Sequence, residues 1–261
     1  YVGQANANLS FTKEQVSGVT TAIADDFVAG ELDGMVYRLY IPADAEGPVP
    51  LVVWHHGGGS IGSDNIGQVV NLLGATPFIE EYGQVAVLAP QCQRYEDKTY
   101  QDWMDILPQI RTMIEKLIAD GTVDANRVYG TGCSFGGHGV IMDAAYNKDL
   151  YAAISICCPA LNENNIPALL SLTDMGVYLT TYPMDGTLPN AALCEDLMLA
   201  LAKTNDNAHY YFFTEEEMNS FGIGNSEGLT DQQIGAEHHN SWVLTYNNVH
   251  GVMDWLWEQS K

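Results

Sequence analysis

The chain has 261 residues, 46% of them hydrophobic, enough for one α/β-sized domain with a large core and no need of a second. Its 33 acidic residues against 10 basic give a formal charge of −23 with no basic run, which disfavours nucleic acid and anionic membrane surfaces as partners and favours neutral substrates over polyanions. No apolar stretch is long enough to span a bilayer, and the five cysteines form no C-x-x-C pair, so a zinc framework is not indicated.

In chain order, residues 1–34 are expected as an extension or edge strand of the same domain that 35–261 then completes. The chain opens at Tyr1-Val-Gly-Gln without Met. We expect a removed leader or upstream segment, and with the negative charge a secreted or extracellular protein, a cytoplasmic one staying open. Met35 to Ile41 alternates and reads as an antiparallel edge strand stopped by Pro42. Leu51–His55 and Val85–Ala89 are continuous apolar runs, as strands covered on both faces require, the second ended by Pro90. Asp102–Ala119 has helical periodicity. Further short strands are expected at 127–131, 152–157, 176–180 and 209–214, and helices at 190–203 and 248–258. Strands alternating with helices indicate a mostly parallel sheet with helices on both faces, where chemistry gathers at the carboxyl ends of the strands.

Arg127-Val-Tyr-Gly-Thr-Gly-Cys-Ser-Phe-Gly-Gly137 is a strand running into G-x-S-x-G, with an amphipathic segment behind it. Gly132, Gly136 and Gly137 allow a turn too tight for side chains, and Ser134 is left at its apex. That is the nucleophile elbow of an α/β-hydrolase, with a helix N-terminus aimed at developing charge. The bland alternative is a serine that caps the helix. Cys133, at the first x of the motif, should turn away from the apex.

A serine hydroxyl needs a base, an orienter for that base and donors for the oxyanion, and in this fold the order is Ser, acid, His. His138 is too close to Ser134 in sequence, His209 begins a strand at the wrong end of the sheet, and His250 falls within the last helical pattern. His238 and His239 remain, and His239 is preferred because it heads His239-Asn-Ser-Trp242. Asp185 is the only carboxylate in the loop 181–189 that follows its strand; the competing reading is an Asx turn before Gly186. The amide of Phe135, with that of Gly58 (or next Gly59) in the loop His56-Gly-Gly-Gly-Ser-Ile-Gly-Ser-Asp-Asn65, should form the oxyanion hole. No Lys-Ser/Thr follows these glycines, so a phosphate loop is a poor reading. His56 reads as a structural holder of its loop, and neither a metal nor a cofactor is expected. Trp103, Tyr182 and Trp242 are candidates to line the cleft, with core anchoring as the alternative for both tryptophans.

The pieces V-Y-R-L-Y-I-P (36–42), H-G-G-G-S-I-G-S-D-N (56–65), A-P-Q-C (89–92), G-C-S-F-G-G (132–137) and H-N-S-W (239–242) resemble an esterase group of α/β-hydrolases. It comprises polyhydroxybutyrate-depolymerase-like and feruloyl/acetyl-xylan carbohydrate esterases near the prolyl-oligopeptidase branch. The resemblance covers about residues 35–260. It implies a serine carboxylesterase with Ser134, Asp185 and His239 as triad, acting on acetyl or feruloyl esters of plant polysaccharide or on short-chain acyl esters. The alternatives are a peptidase of prolyl-oligopeptidase type and, from another class, a catalytically silent carbohydrate-binding module. Relatives usually carry His-Gly where this chain has Thr181-Tyr182. Residues 215–238 lengthen the usual connection to the histidine, and we expect them as a rim or flap. The short stretch between Cys158 and Gly176 leaves no room for a large cap domain. Oligomeric state is not readable.

Overall fold

The fully apolar runs become the middle of the sheet. In the computed structural model, which describes residues 22–187, 191–223 and 228–261, β3 (Val49–His55) and β4 (Ala86–Gln91) are buried at every residue. They pair in parallel, as strands with both faces covered do. With β1 (Val28–Leu32), β2 (Met35–Tyr40), β5 (Val123–Cys133), β6 (Ala153–Cys157), β7 (Gly176–Thr181) and β8 (Ala208–Phe212) they form one eight-stranded sheet. Its order is β1-β2-β4-β3-β5-β6-β7-β8. The pairs β1–β2 and β2–β4 are antiparallel and the rest are parallel. This is the α/β-hydrolase arrangement expected from the sequence.

Helices cover both faces. Helix Leu107–Ala119, the elbow helix Phe135–Tyr146 and helix Ala191–Leu201 pack on one face with Val53, Leu88, Val128 and Ile154. Trp54, Phe78, Tyr246, Met253 and Leu256 fill the other. A smaller apolar cluster, Tyr182, Phe213, Met218, Ile223 and Leu244, sits beneath the segment that follows β8. No helix among the described residues is long and apolar enough to cross a membrane.

Several elements differ from expectation for identifiable reasons. Residues 1–21 of the expected N-terminal extension lie outside the described residues. The strand at Met35 is not an edge: Asp33 and Gly34, both at positive φ (46° and 84°), turn the chain so that β1 pairs over β2. Strand β4 runs through Pro90 to Gln91: the β3–β4 ladder ends at Val53↔Leu88, Pro90 stands opposite Tyr37 of β2, and the Tyr37 carbonyl accepts from Asn65 Nδ2 at 3.1 Å. The helix expected from Asp102 is broken at Ile106. A short turn, Trp103–Asp105, is capped by Asp102, and the helix proper starts at Leu107 with Pro108 in its first turn.

The segment expected as a rim or flap carries two helices. Glu215–Ser220 and Asp231–His238 are each opened by a capping box, Thr214 with Glu217 and Thr230 with Gln233. The last helical pattern, expected at 248–258, is broken into Val249–Gly251 and Val252–Trp257 by positive φ at Asn248, His250 and Gly251, and a further helix, Trp242–Tyr246, precedes it.

Candidate active site

Strand β5 lies between β3 and β6, and their carboxyl ends are in register at His55↔Gly132 and Cys133↔Cys157. Ser134 leaves β5 at φ 58°, ψ −118°, a strained pose for a residue with a side chain. The turn closes only with glycine on both sides. A Cβ on Gly132 would lie 2.2 Å from the Gly136 carbonyl oxygen, and one on Gly136 1.8 Å from that of His55. The pose is pinned from outside, since the Ser134 amide donates to Cys157 O (3.0 Å) and its carbonyl accepts from Ala160 N (2.9 Å) and His138 N (3.2 Å). The elbow helix begins at the next residue.

Beside it, the glycine loop after β3 makes one 3₁₀ turn, Gly58–Ser60. The amides of Gly58 and Phe135 donate to no other described residue, and a Cβ on Gly58 or Gly59 would meet open space. His56 fixes this loop. Its Nε2 accepts from the Cys92 amide (3.0 Å), so the proton sits on Nδ1 and donates to Gly57 O (2.7 Å). Burial pushes its pKa down to about 4, so the ring is a neutral brace. His55 anchors the same strand end from below. Its Nε2 meets Asp143 Oδ2 at 2.9 Å, the Tyr151 hydroxyl donates to that oxygen at 2.6 Å, and Asn147 Nδ2 donates to Oδ1 at 2.6 Å. Asp143 was not foreseen, although a lone acid inside the apolar stretch Val-Ile-Met-Asp-Ala-Ala is a signal of a buried partner.

His239 caps the C-terminus of the helix Asp231–His238. Its Nδ1 donates to Asp185 Oδ2 at 2.7 Å, with the two side chains only 14% and 6% exposed. The Asx-turn reading of Asp185 holds as well, because Oδ1 accepts from Thr187 N at 2.9 Å. The two oxygens thus do separate work. With Nδ1 protonated, Nε2 carries the lone pair a base needs; it is buried and without a hydrogen-bond partner among the described residues. The pair stands next to the elbow: Cys158 follows the residue whose carbonyl holds the Ser134 amide, and its Sγ lies within 4.8 Å of a His239 ring nitrogen and an Asp185 oxygen. These three are also the group best placed to ligate a metal ion among the described residues. His238 turns to Met184 O (Nδ1, 3.1 Å) and the edge of Tyr182, which leaves His239 to the carboxylate.

The remaining histidines are occupied elsewhere. His138 Nδ1 accepts from Asn165 Nδ2 at 3.0 Å and its Nε2 faces Asp102 at 3.4 Å. His209 lies on β8 against Trp255, and His250 bonds Glu217 from a kink rather than a helix. Cys133 is buried near Cys157, and burial pushes its thiol well above the ordinary range.

The expected cleft aromatics sit deeper than anticipated. Trp103 is fully buried because Gly139 leaves room for its indole; a Cβ there would lie 2.6 Å from the ring. Tyr182 is 5% exposed against His238, and half-buried Trp242 packs on the core. The exposed apolar groups beside the site are others: Tyr100, edge-on to Phe135 at 5.8 Å, and Met184, next to Asp185. Tyr100 lies in a polar loop whose place over the elbow only the fold determines.

No protein-family model and no curated protein matches the chain. Solved structures do. A thermostable esterase is 27% identical over 92% of this chain, with a TM-score of 0.73. The chain has the α/β-hydrolase fold of an esterase group. It spans 64% of the length of that esterase. Est1E from Butyrivibrio proteoclasticus (14% identity, 85% of this chain and 99% of that one, TM-score 0.52) shares the fold. So does a puromycin-hydrolyzing peptidase of Mycobacterium tuberculosis (17%, 72% of this chain and 35% of that one, TM-score 0.56).

Proposed function

We propose that the protein is a serine carboxylesterase working through an acyl-serine. The observation that carries this is the 2.7 Å bond between His239 and Asp185 beside a serine held at φ 58°. His239 Nε2 takes the Ser134 proton as Oγ attacks the ester carbonyl, while Asp185 holds the Nδ1–H tautomer and stabilises the imidazolium. The amides of Phe135 and Gly58 receive the oxyanion. His239 then returns the proton to the leaving alcohol, and water repeats the cycle to free the acid. The substrates we propose are acetyl or feruloyl esters on polysaccharide, or short-chain acyl esters. The resemblance of the loop motifs and the short connection between Cys158 and Gly176 support this range.

A hydrolysis panel of p-nitrophenyl acetate, butyrate and octanoate, methyl ferulate and acetylated xylan tests the proposal, with Ser134→Ala as control. Hydrolysis of at least one ester that is lost in the variant is expected; turnover of none contradicts it. The peptidase neighbour motivates a second reading, separated by comparing p-nitrophenyl acetate with a proline p-nitroanilide. Faster cleavage of the anilide would favour the peptidase.

A further inference from the structure

The helix that ends at His239 has little to dock with. Among its described side-chain positions, the buried ones are Gly235 and His238, neither of them a large apolar group. Gly235 lies four residues before His239, hence on the same helix face. Gly186 directly follows Asp185. These two glycines meet backbone to backbone. A Cβ on Gly186 would lie 2.8 Å from the Gly235 Cα, and one on Gly235 3.0 Å from the Gly186 Cα. The Gly186 amide donates to Gly235 O at 3.3 Å, and Thr187 Oγ1 reaches the same oxygen at 3.4 Å.

Neither glycine is demanded by its own backbone, for neither has positive φ. Inside a helix, glycine costs about 1 kcal/mol relative to alanine. The close approach is what requires them.

We propose that Gly186 and Gly235 are positioning residues: their contact sets the distance between the Asp185 carboxylate and the His239 imidazole. The inference rests on reading Ser134, His239 and Asp185 as an acyl-transfer site. Carbon atoms pack comfortably at about 3.5–4.0 Å, so a methyl group on either glycine must part loop and helix by roughly 0.5–1 Å. The loop carries the acid and the helix carries the base. The added gap therefore opens between the two catalytic groups, and a misplacement of about 1 Å can cost about 100-fold in rate.

The test compares Gly235→Ala and Gly186→Ala in the full chain with Gly47→Ala, where a Cβ meets nothing within 4 Å. Each is titrated at its active serine with a fluorophosphonate, so that kcat is counted per competent site. We expect kcat on p-nitrophenyl acetate to fall about 10–100-fold in both, with KM changed less than about 3-fold. The downfield proton NMR signal of the His239–Asp185 bond should shift or vanish. Thermal stability of Gly235→Ala should change much less than kcat, because the helix propensity alanine adds offsets part of the cost of parting loop and helix. Unchanged kcat per titrated site, or an unchanged downfield signal, overturns the inference alone. Failure of the wild type to label at Ser134 overturns the reading beneath it and the inference together.

Discussion

The two halves of the candidate site are built in different ways. The nucleophile half, β3, β5 and the elbow, is core. Its strands are buried, its glycines press on neighbouring backbone, and Ser134 is held by three main-chain hydrogen bonds. The base half hangs on a surface helix joined to the acid loop by one 2.7 Å bond, a glycine pair and the His238 contact to Met184. Changes in the first half should therefore act on the fold wherever they touch the elbow glycines. Changes in the second should act on the rate and leave the fold standing.

The largest effect expected is from Ser134→Ala, which removes the proposed reacting atom alone. Turnover of any ester substrate should fall by about 10⁴-fold or more, with an unaltered circular dichroism spectrum. Asp185→Asn comes next. The amide keeps the shape, and its oxygen can still accept from Thr187 N, but it no longer selects the Nδ1–H tautomer. A fall in kcat of about 10³–10⁴-fold with little change in melting temperature is expected. Loss of folding in that variant would break the contrast between the halves.

Gly136→Ala tests the other side. Its methyl group would fall 1.8 Å from a main-chain oxygen that has nowhere to go, so urea unfolding should report a loss of about 3 kcal/mol or more. The smallest effect concerns His56, whose pKa is pushed down to about 4 by burial. A base with a depressed folded pKa gives stability that is present above its ordinary value near 6.5 and is lost as pH falls from there toward 4, because only the unfolded chain takes up the proton. The loss is bounded at about 3 kcal/mol for this group. His56→Asn should make the acid limb of the stability profile shallower, and an equally steep limb would remove His56 from its cause.

The same contrast explains what could be read in the sequence. The elbow and the oxyanion loop are each contiguous, and chain order then points to Asp185 and His239. Strand β5 and the apolar runs of β3 and β4 carry their own burial pattern. What escaped depends on long-range contact or on local signals passed over. The capping boxes Thr214–Glu217 and Thr230–Gln233 and the Asp33-Gly34 turn are visible in the letters. They announce two helices within the segment expected as a rim or flap and a hairpin that moves β2 off the edge. Trp103 under Gly139, Asp143 under His55 and Gly186 against Gly235 join residues far apart in the chain, and no window of sequence contains them.

The proposed mechanism turns on one covalent bond, from Ser134 Oγ to an acyl carbon. Treating the protein with a fluorophosphonate and mapping the adduct by peptide mass spectrometry tests it most directly. A single modification on Ser134, absent in Ser134→Ala and much slower to form in Asp185→Asn, is the predicted result. A modification on another residue, or ester hydrolysis that survives in Ser134→Ala, would contradict it.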